Sequence, residues 1–297
     1  MMTAENIKQI MNGHSDDIAF VIGNGINRYQ NNSNMLSWDN LLKNLWKKVT
    51  NNSMAQIPNG ISLTEFYDIL ELENHQNIDI QLEVANLMFS WQPSAHHVQI
   101  VRKIKELNAP ILTTNFERTF ANTFNFGPKK MEEDGFTHYY PWGIYHSDLI
   151  LDLPTNGFGI WHINGMINYR KSIRLGLSHY MGSVAKARGL LHNTDENNLF
   201  DGKNVSYWKG CKSWLHIIFN KSLFIFGLSL EENETFLRWL LIERMKYFTK
   251  FSKVHKGWYL KSSTESMSNG KKFFLEKIGF EILEADSYDD IYSNIWV

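Results

Sequence analysis

The sequence sets glycines and polar side chains directly behind apolar runs, and the first such place is Ala19-Phe20-Val21-Ile22 followed by Gly23-Asn24-Gly25-Ile26-Asn27. An apolar run without alternation suits a strand buried on both faces of a parallel sheet. Two glycines two positions apart let the backbone turn sharply and approach a ligand with no Cβ in the way. A dinucleotide loop usually reads G-x-G-x-x-G, but the sixth position here is Arg28. The glycine that allows close helix–strand packing is therefore missing. Taken alone, the stretch fits a phosphate-facing loop or an ordinary tight turn.

Three further strand ends carry groups able to do chemistry. Pro110–Thr113 runs into Thr114, Asn115 and Glu117. These residues fit ligand binding, or helix capping with Thr114 or Asn115 as the cap and Glu117 against the positive end of the dipole. In Ile160–Ile167, alternation places Trp161, Ile163 and Gly165 on one face and His162, Asn164 and Met166 on the other. An imidazole with a pKa of about 6.5 suits proton transfer, whereas an amide does not titrate. In Phe226–Phe236, Gly227 and Ser229 end a very apolar strand, and Glu231 to Glu234 begin a helix, where acidic residues are also plain helix starters.

These ends need a sheet to bring them together. Strands are expected over 18–23, 110–114, 158–164, 172–177, 222–228, 257–262 and 279–284. Helices are expected over Trp38–Val49, 78–90, 94–109 with Ser94 as its cap, 232–251, and 269–279 closed by Gly279. Buried strands alternating with helices predict an α/β fold with a Rossmann-like, mainly parallel sheet flanked by helices. The whole chain, 1–297, reads as a single domain, with about 30–92 forming a smaller helical cap. The segments 124–157 and 181–205 read as loop or lid. Ligands of such sheets bind beyond the carboxyl ends of the strands, so the four ends predict one shared crevice.

Composition narrows the function. Lys plus Arg total 30 and Asp plus Glu 31, for a net charge of -1, which argues against a protein built to grip nucleic acid. The start of the sequence lacks the apolar core of a signal peptide, and no apolar run approaches the ~20 residues of a membrane span. The expectation is a cytoplasmic protein with no membrane partner. Cys211 is the only cysteine, so neither an intrachain disulfide nor a multi-cysteine zinc site can form.

The ordered set "GNGIN", "TTNFE", "WHINGMINYRKSIRLGLSHY" and "FGLSLEENE" resembles the sirtuin-like domains of bacterial anti-phage defence proteins, over residues of about 16 to 262. That family has a Gly-x-Gly loop, a T-Q-N-x-D segment and a His-Gly pair after a later strand. The resemblance implies that Gly23, Asn24, Gly25 and Asn27 belong to the loop facing the phosphates of NAD. Thr113, Thr114, Asn115 and Glu117 match T-Q-N-x-D, with Asn115 holding the nicotinamide-side ribose or an attacking water. Gly227 and Ser229 approach the adenosine half. The sequence departs from the family at its catalytic position, where Asn164 rather than His precedes Gly165. His162 lies two residues upstream, ~6.6 Å along a strand. Three explanations stand open: His162 has taken over the catalytic role, the protein binds NAD without cleaving it, or Asn164 is a His-to-Asn replacement that traps the bound nucleotide.

One cysteine cannot build the four-cysteine zinc module of sirtuin deacetylases. The resemblance therefore implies an NAD-hydrolysing effector of antiviral defence more than an NAD-dependent protein deacylase. Its substrate is NAD, no zinc is required, and it is kept silent until a homo-oligomeric assembly or a separate activating chain, such as a HerA-type ATPase or a short Argonaute, activates it. The alternative is a non-catalytic NAD or ADP-ribose sensor that scaffolds an assembly.

Overall fold

The computed structural model describes residues 2–30, 35–132, 136–193, 197–202 and 207–297. Parts of the expected cap and lid segments, at 31–34, 133–135, 194–196 and 203–205, lie outside the described residues. The chain folds as α/β around one eight-stranded mixed sheet flanked by helices. Its strands are β1 (Ile18–Ile22), β2 (Ile111–Thr113), β3 (Pro128–Lys130), β4 (Ile144–His146), β5 (Ile160–His162), β6 (Ser222–Phe226), β7 (Gly257–Ser262) and β8 (Phe280–Ala285). They lie in the order β3-β4-β5-β2-β1-β6-β7-β8. Every pair from β5 to β8 is parallel, while β3–β4 and β4–β5 are antiparallel.

Side-chain alternation divides the core in two. Along β1, Ala19 and Val21 join one buried cluster while Ile18, Phe20 and Ile22 join the other, and β6 divides in the same way. The first face is covered by α8 (Leu177–His192), α9 (Leu215–Asn220), α10 (Thr235–Phe251) and α11 (Asn269–Lys277). The second is covered by α1 (Ala4–Gly13), α6 (Ala95–Glu106) and α12 (Tyr288–Tyr292), with the short α2 (Gly25–Arg28) and α7 (Thr119–Asn122) at its strand ends. Both faces of β1 and β6 are therefore dry, which explains their unbroken apolar runs. A third cluster belongs to α3 (Trp38–Thr50), α4 (Leu63–Leu72) and α5 (Ile80–Met88).

Three expectations are corrected. Residues 172–177 form no strand: a 3-10 helix covers Ile167–Ser172, and α8 begins at Leu177. The alternation there is real, but Ile173 and Leu175 insert into the core of α3, α4 and α5 rather than into the sheet. Segment 181–205 is not a loop throughout, because α8 runs to His192. Its buried positions include Ser183 and Ala187, so small residues hide the apolar stripe that would have marked a helix. Segment 124–157 contributes β3 and β4, which extend the sheet with antiparallel strands too short to show a period. No helix among the described residues is long and apolar enough to cross a membrane.

Candidate functional site

The exits of β1 and β6 are pressed together. The Gly25 amide donates to the Gly227 carbonyl at 2.7 Å. A Cβ on Gly25 would meet the Tyr292 hydroxyl at 2.4 Å and Gly227 Cα at 2.8 Å. One on Gly23 would meet the Gly227 carbonyl at 2.5 Å. The Gly-x-Gly pattern is thus required by backbone packing, whatever else it does. Asn24 ties the turn to the segment before α3, its Nδ2 donating to the Leu36 carbonyl at 2.8 Å.

Asn27 faces inward. Its Nδ2 donates to Glu117 Oε1 at 2.7 Å and to Asn24 Oδ1 at 2.9 Å, and its Oδ1 accepts from His97 Nε2 at 2.9 Å. His97 Nδ1 accepts from the Ser94 amide at 3.1 Å, so the ring is neutral with its proton on Nε2. Burial, with the neighbouring His96 second, pushes its pKa down to about 3. The other oxygen of Glu117 accepts from the amide and hydroxyl of Thr119, each at 2.6 Å. Asn27 and Glu117 therefore fasten the β1 exit to the β2 exit.

At the end of β2 the Thr113 hydroxyl donates to the Ile22 carbonyl at 2.9 Å and accepts the Asn115 amide at 3.1 Å. Neither Thr114 nor Asn115 caps a helix, since α7 starts at Thr119 behind Arg118. Asn115 is buried at 6 % exposure, and both Oδ1 and Nδ2 lack a hydrogen-bond partner among the described residues. Such a group costs free energy unless something else binds it. His162 holds this segment, its Nδ1–H donating to the Asn115 carbonyl at 2.8 Å. Burial keeps the His162 pKa below the ordinary value, with the Asn115 carbonyl opposing that shift.

β5 ends at His162, and the chain turns at Gly165 with φ +97. A Cβ there would strike the Ser172 carbonyl at 2.1 Å, so only glycine can follow Asn164. Because β5 ends at His162, the strand alternation that put His162 and Asn164 on one face does not extend to Asn164.

One cavity of about 530 Å³ opens over these strand ends, a size ordinary for a small-molecule site. Asn24, Gly25, Thr114, Asn115, Glu117, Asn164, Gly227 and Ser229 line it. Gly23, Asn27, Thr113 and His162 do not. Gly23 makes close backbone contacts, Asn27 and Thr113 are held by hydrogen bonds, and His162 is held through Nδ1 alone, its buried Nε2 having no partner among the described residues. The cavity is walled by aromatic side chains, including Trp38 and Trp91 from the α3–α5 side and Tyr259, Tyr288 and Tyr292 opposite.

Among the lining residues that sequence reasoning did not single out are Tyr180 and Glu234. Glu234 stands just before α10 at 8 % exposure. Burial raises its carboxyl pKa to about 7, and the Asn164 side chain facing it acts in the opposite sense. Its position in the run Glu231–Glu234 looked like ordinary helix initiation, and only the fold singles it out. The arrangement offers an unpartnered amide, a proton-accepting carboxyl and an aromatic enclosure at the carboxyl ends of parallel strands. No protein-family model matches the chain, and no curated protein matches it.

Proposed function

We propose that the crevice binds NAD and hydrolyses it to nicotinamide and ADP-ribose, on a Rossmann-like sheet of the sirtuin type. The observation that carries this reading is Asn115, whose amide is buried at the cavity wall with both polar atoms unpartnered among the described residues. An amide so placed is positioned to orient a ribose hydroxyl or a water, and orientation is much of what glycosidic cleavage requires. The glycine-bordered wall at Gly25 and Gly227 would face the phosphates, and the tyrosines beyond Ser229 would enclose the adenosine half.

The C–N bond to nicotinamide breaks with its electron pair leaving on the ring nitrogen. Water then bonds to the ribose carbon and loses a proton. Calorimetric titration with NAD, followed by chromatography for nicotinamide and ADP-ribose, tests binding and cleavage separately. Binding without any product would favour the second reading, an NAD or ADP-ribose sensor, which is supported by Asn164 standing where the family has its base. The motif resemblance further supports a role in antiviral defence, with turnover restrained until an assembly or a separate chain activates it. Light scattering alongside the activity assay tests that restraint, since a fully active monomer would exclude control by self-assembly.

A further inference from the structure

We propose that Glu234 is the catalytic proton acceptor of this crevice, taking the proton of the water that replaces nicotinamide. The proposal rests on the hydrolytic reading above. Glu234 and Asn164 line the same cavity, and the Asn164 amide cannot accept a proton. A carboxyl at 8 % exposure with no cation paired to it among the described residues is costly to keep. Such groups concentrate where chemistry needs them.

The surroundings fit the role. Asn164 faces the carboxyl from the turn after β5, and its side chain favours the charged form, opposing the effect of burial. Tyr180 lines the same cavity from α8, its hydroxyl donating to the Arg174 carbonyl at 3.2 Å and its phenol kept protonated by burial and by the Glu234 charge. Arg174, which acts on Tyr180, is turned instead to Ser183 Oγ and to the carbonyls of Lys171 and Tyr139. Of the other acids in the run, Glu231 pairs with Lys271 at 3.2 Å. The loop is held in place: Asn233 Oδ1 accepts the Leu63 amide at 2.8 Å, and Arg238 donates to the Leu230 carbonyl at 3.0 Å. A base on a fixed loop with a pKa of about 7 is half ionised at neutral pH, close to the optimum for proton transfer.

In the step, water forms its bond to the ribose carbon as nicotinamide departs neutral with the C–N electron pair. One water proton passes to the Glu234 carboxylate and then to solvent. The products are nicotinamide, ADP-ribose and one proton, with nothing oxidised or reduced.

The test compares the full chain with Glu234→Gln and Asn164→His, measuring NAD affinity by calorimetry and nicotinamide release from pH 5 to 9. The expected result is a parent rate that falls about tenfold per pH unit below about pH 7. Glu234→Gln should lose that limb and ~10²–10⁴ of kcat, with NAD affinity changed only a few-fold. If Glu234→Gln keeps the parent's rate and pH profile, or if the parent is silent while Asn164→His cleaves NAD, the proposal is overturned and the hydrolytic reading stands. If every version binds NAD and none cleaves it, the hydrolytic reading itself falls.

Discussion

His162 Nδ1–H donates to the Asn115 carbonyl at 2.8 Å, so this histidine holds the backbone that presents the buried amide. The consequence is a separation of stability from function at residue 115. Asn115→Ala removes two polar atoms that have no partner among the described residues, so it should leave the melting temperature unchanged or raise it slightly. Nicotinamide release under saturating NAD should fall at least about tenfold, as expected for loss of an orienting group. A variant that melts clearly lower but retains turnover would make Asn115 a structural residue. His162→Ala should behave oppositely in stability, costing about 1–3 kcal/mol because it leaves a buried carbonyl unpaired.

The second prediction concerns the Asn27–Glu117 fastening between the β1 and β2 exits. Glu117 accepts from Asn27 and from both donors of Thr119. In Glu117→Gln an amide NH₂ must face at least one of those three donors, whichever way the side chain turns. Loss of one buried charge-assisted bond should lower stability by about 1.5–3 kcal/mol in denaturant titration. NAD affinity should fall with it, because the same bonds set the spacing of two cavity walls. Unchanged stability would show that the carboxylate is not needed to hold the exits together.

The third prediction uses the Glu234 carboxyl, whose pKa burial raises from the ordinary 4.5 to about 7. Between those values the folded protein binds more protons at this site than the unfolded chain, so its contribution to stability falls as pH rises. Glu234→Gln removes the slope. At about 1.4 kcal/mol per pKa unit, the variant should gain up to about 3 kcal/mol over the parent between pH 4.5 and 7.5. The buried His97 and His146, each pushed down to about 3 chiefly by burial, slope the other way in both proteins and cancel in the comparison. Parallel melting curves across that range would mean that the carboxyl is not buried as described.

The legible and illegible parts of this chain divide on physical grounds. β1 and β6 are buried on both faces, so their composition alone announced them, and Gly23, Gly25 and Gly227 marked their exits. The segment after β5 misled because alternation reports burial, not the partner: Ile173 and Leu175 alternate into a helical core. In the helix that follows, Ser183 and Ala187 supply buried positions without apolar bulk. Glu234 was invisible as a site residue because four consecutive acid or amide side chains initiate a helix equally well. What separates it is its burial beside Asn164 at the cavity, a relation between residues 70 positions apart.

The last prediction concerns Asn164 and Glu234 together. Asn164→His places an imidazole at the cavity wall facing the Glu234 carboxyl, in the spot that now holds a non-titrating amide. A carboxylate beside an imidazole orients the ring and stabilises its protonated form. The expected outcome is nicotinamide release at least about tenfold above the parent, within the range that a positioned general base supplies. The two positions should also cease to be independent. If Glu234 is the base only when residue 164 cannot be, Glu234→Gln should cost ~10²–10⁴ in the parent background. It should cost much less in the Asn164→His background, where the new imidazole accepts the proton. The measurement is a four-corner cycle of kcat values at saturating NAD, and its signature is a large departure from multiplicativity. Losses of equal size in both backgrounds would mean that Glu234 supports the site without exchanging roles with residue 164, and the assignment of a shared proton-accepting position would be wrong.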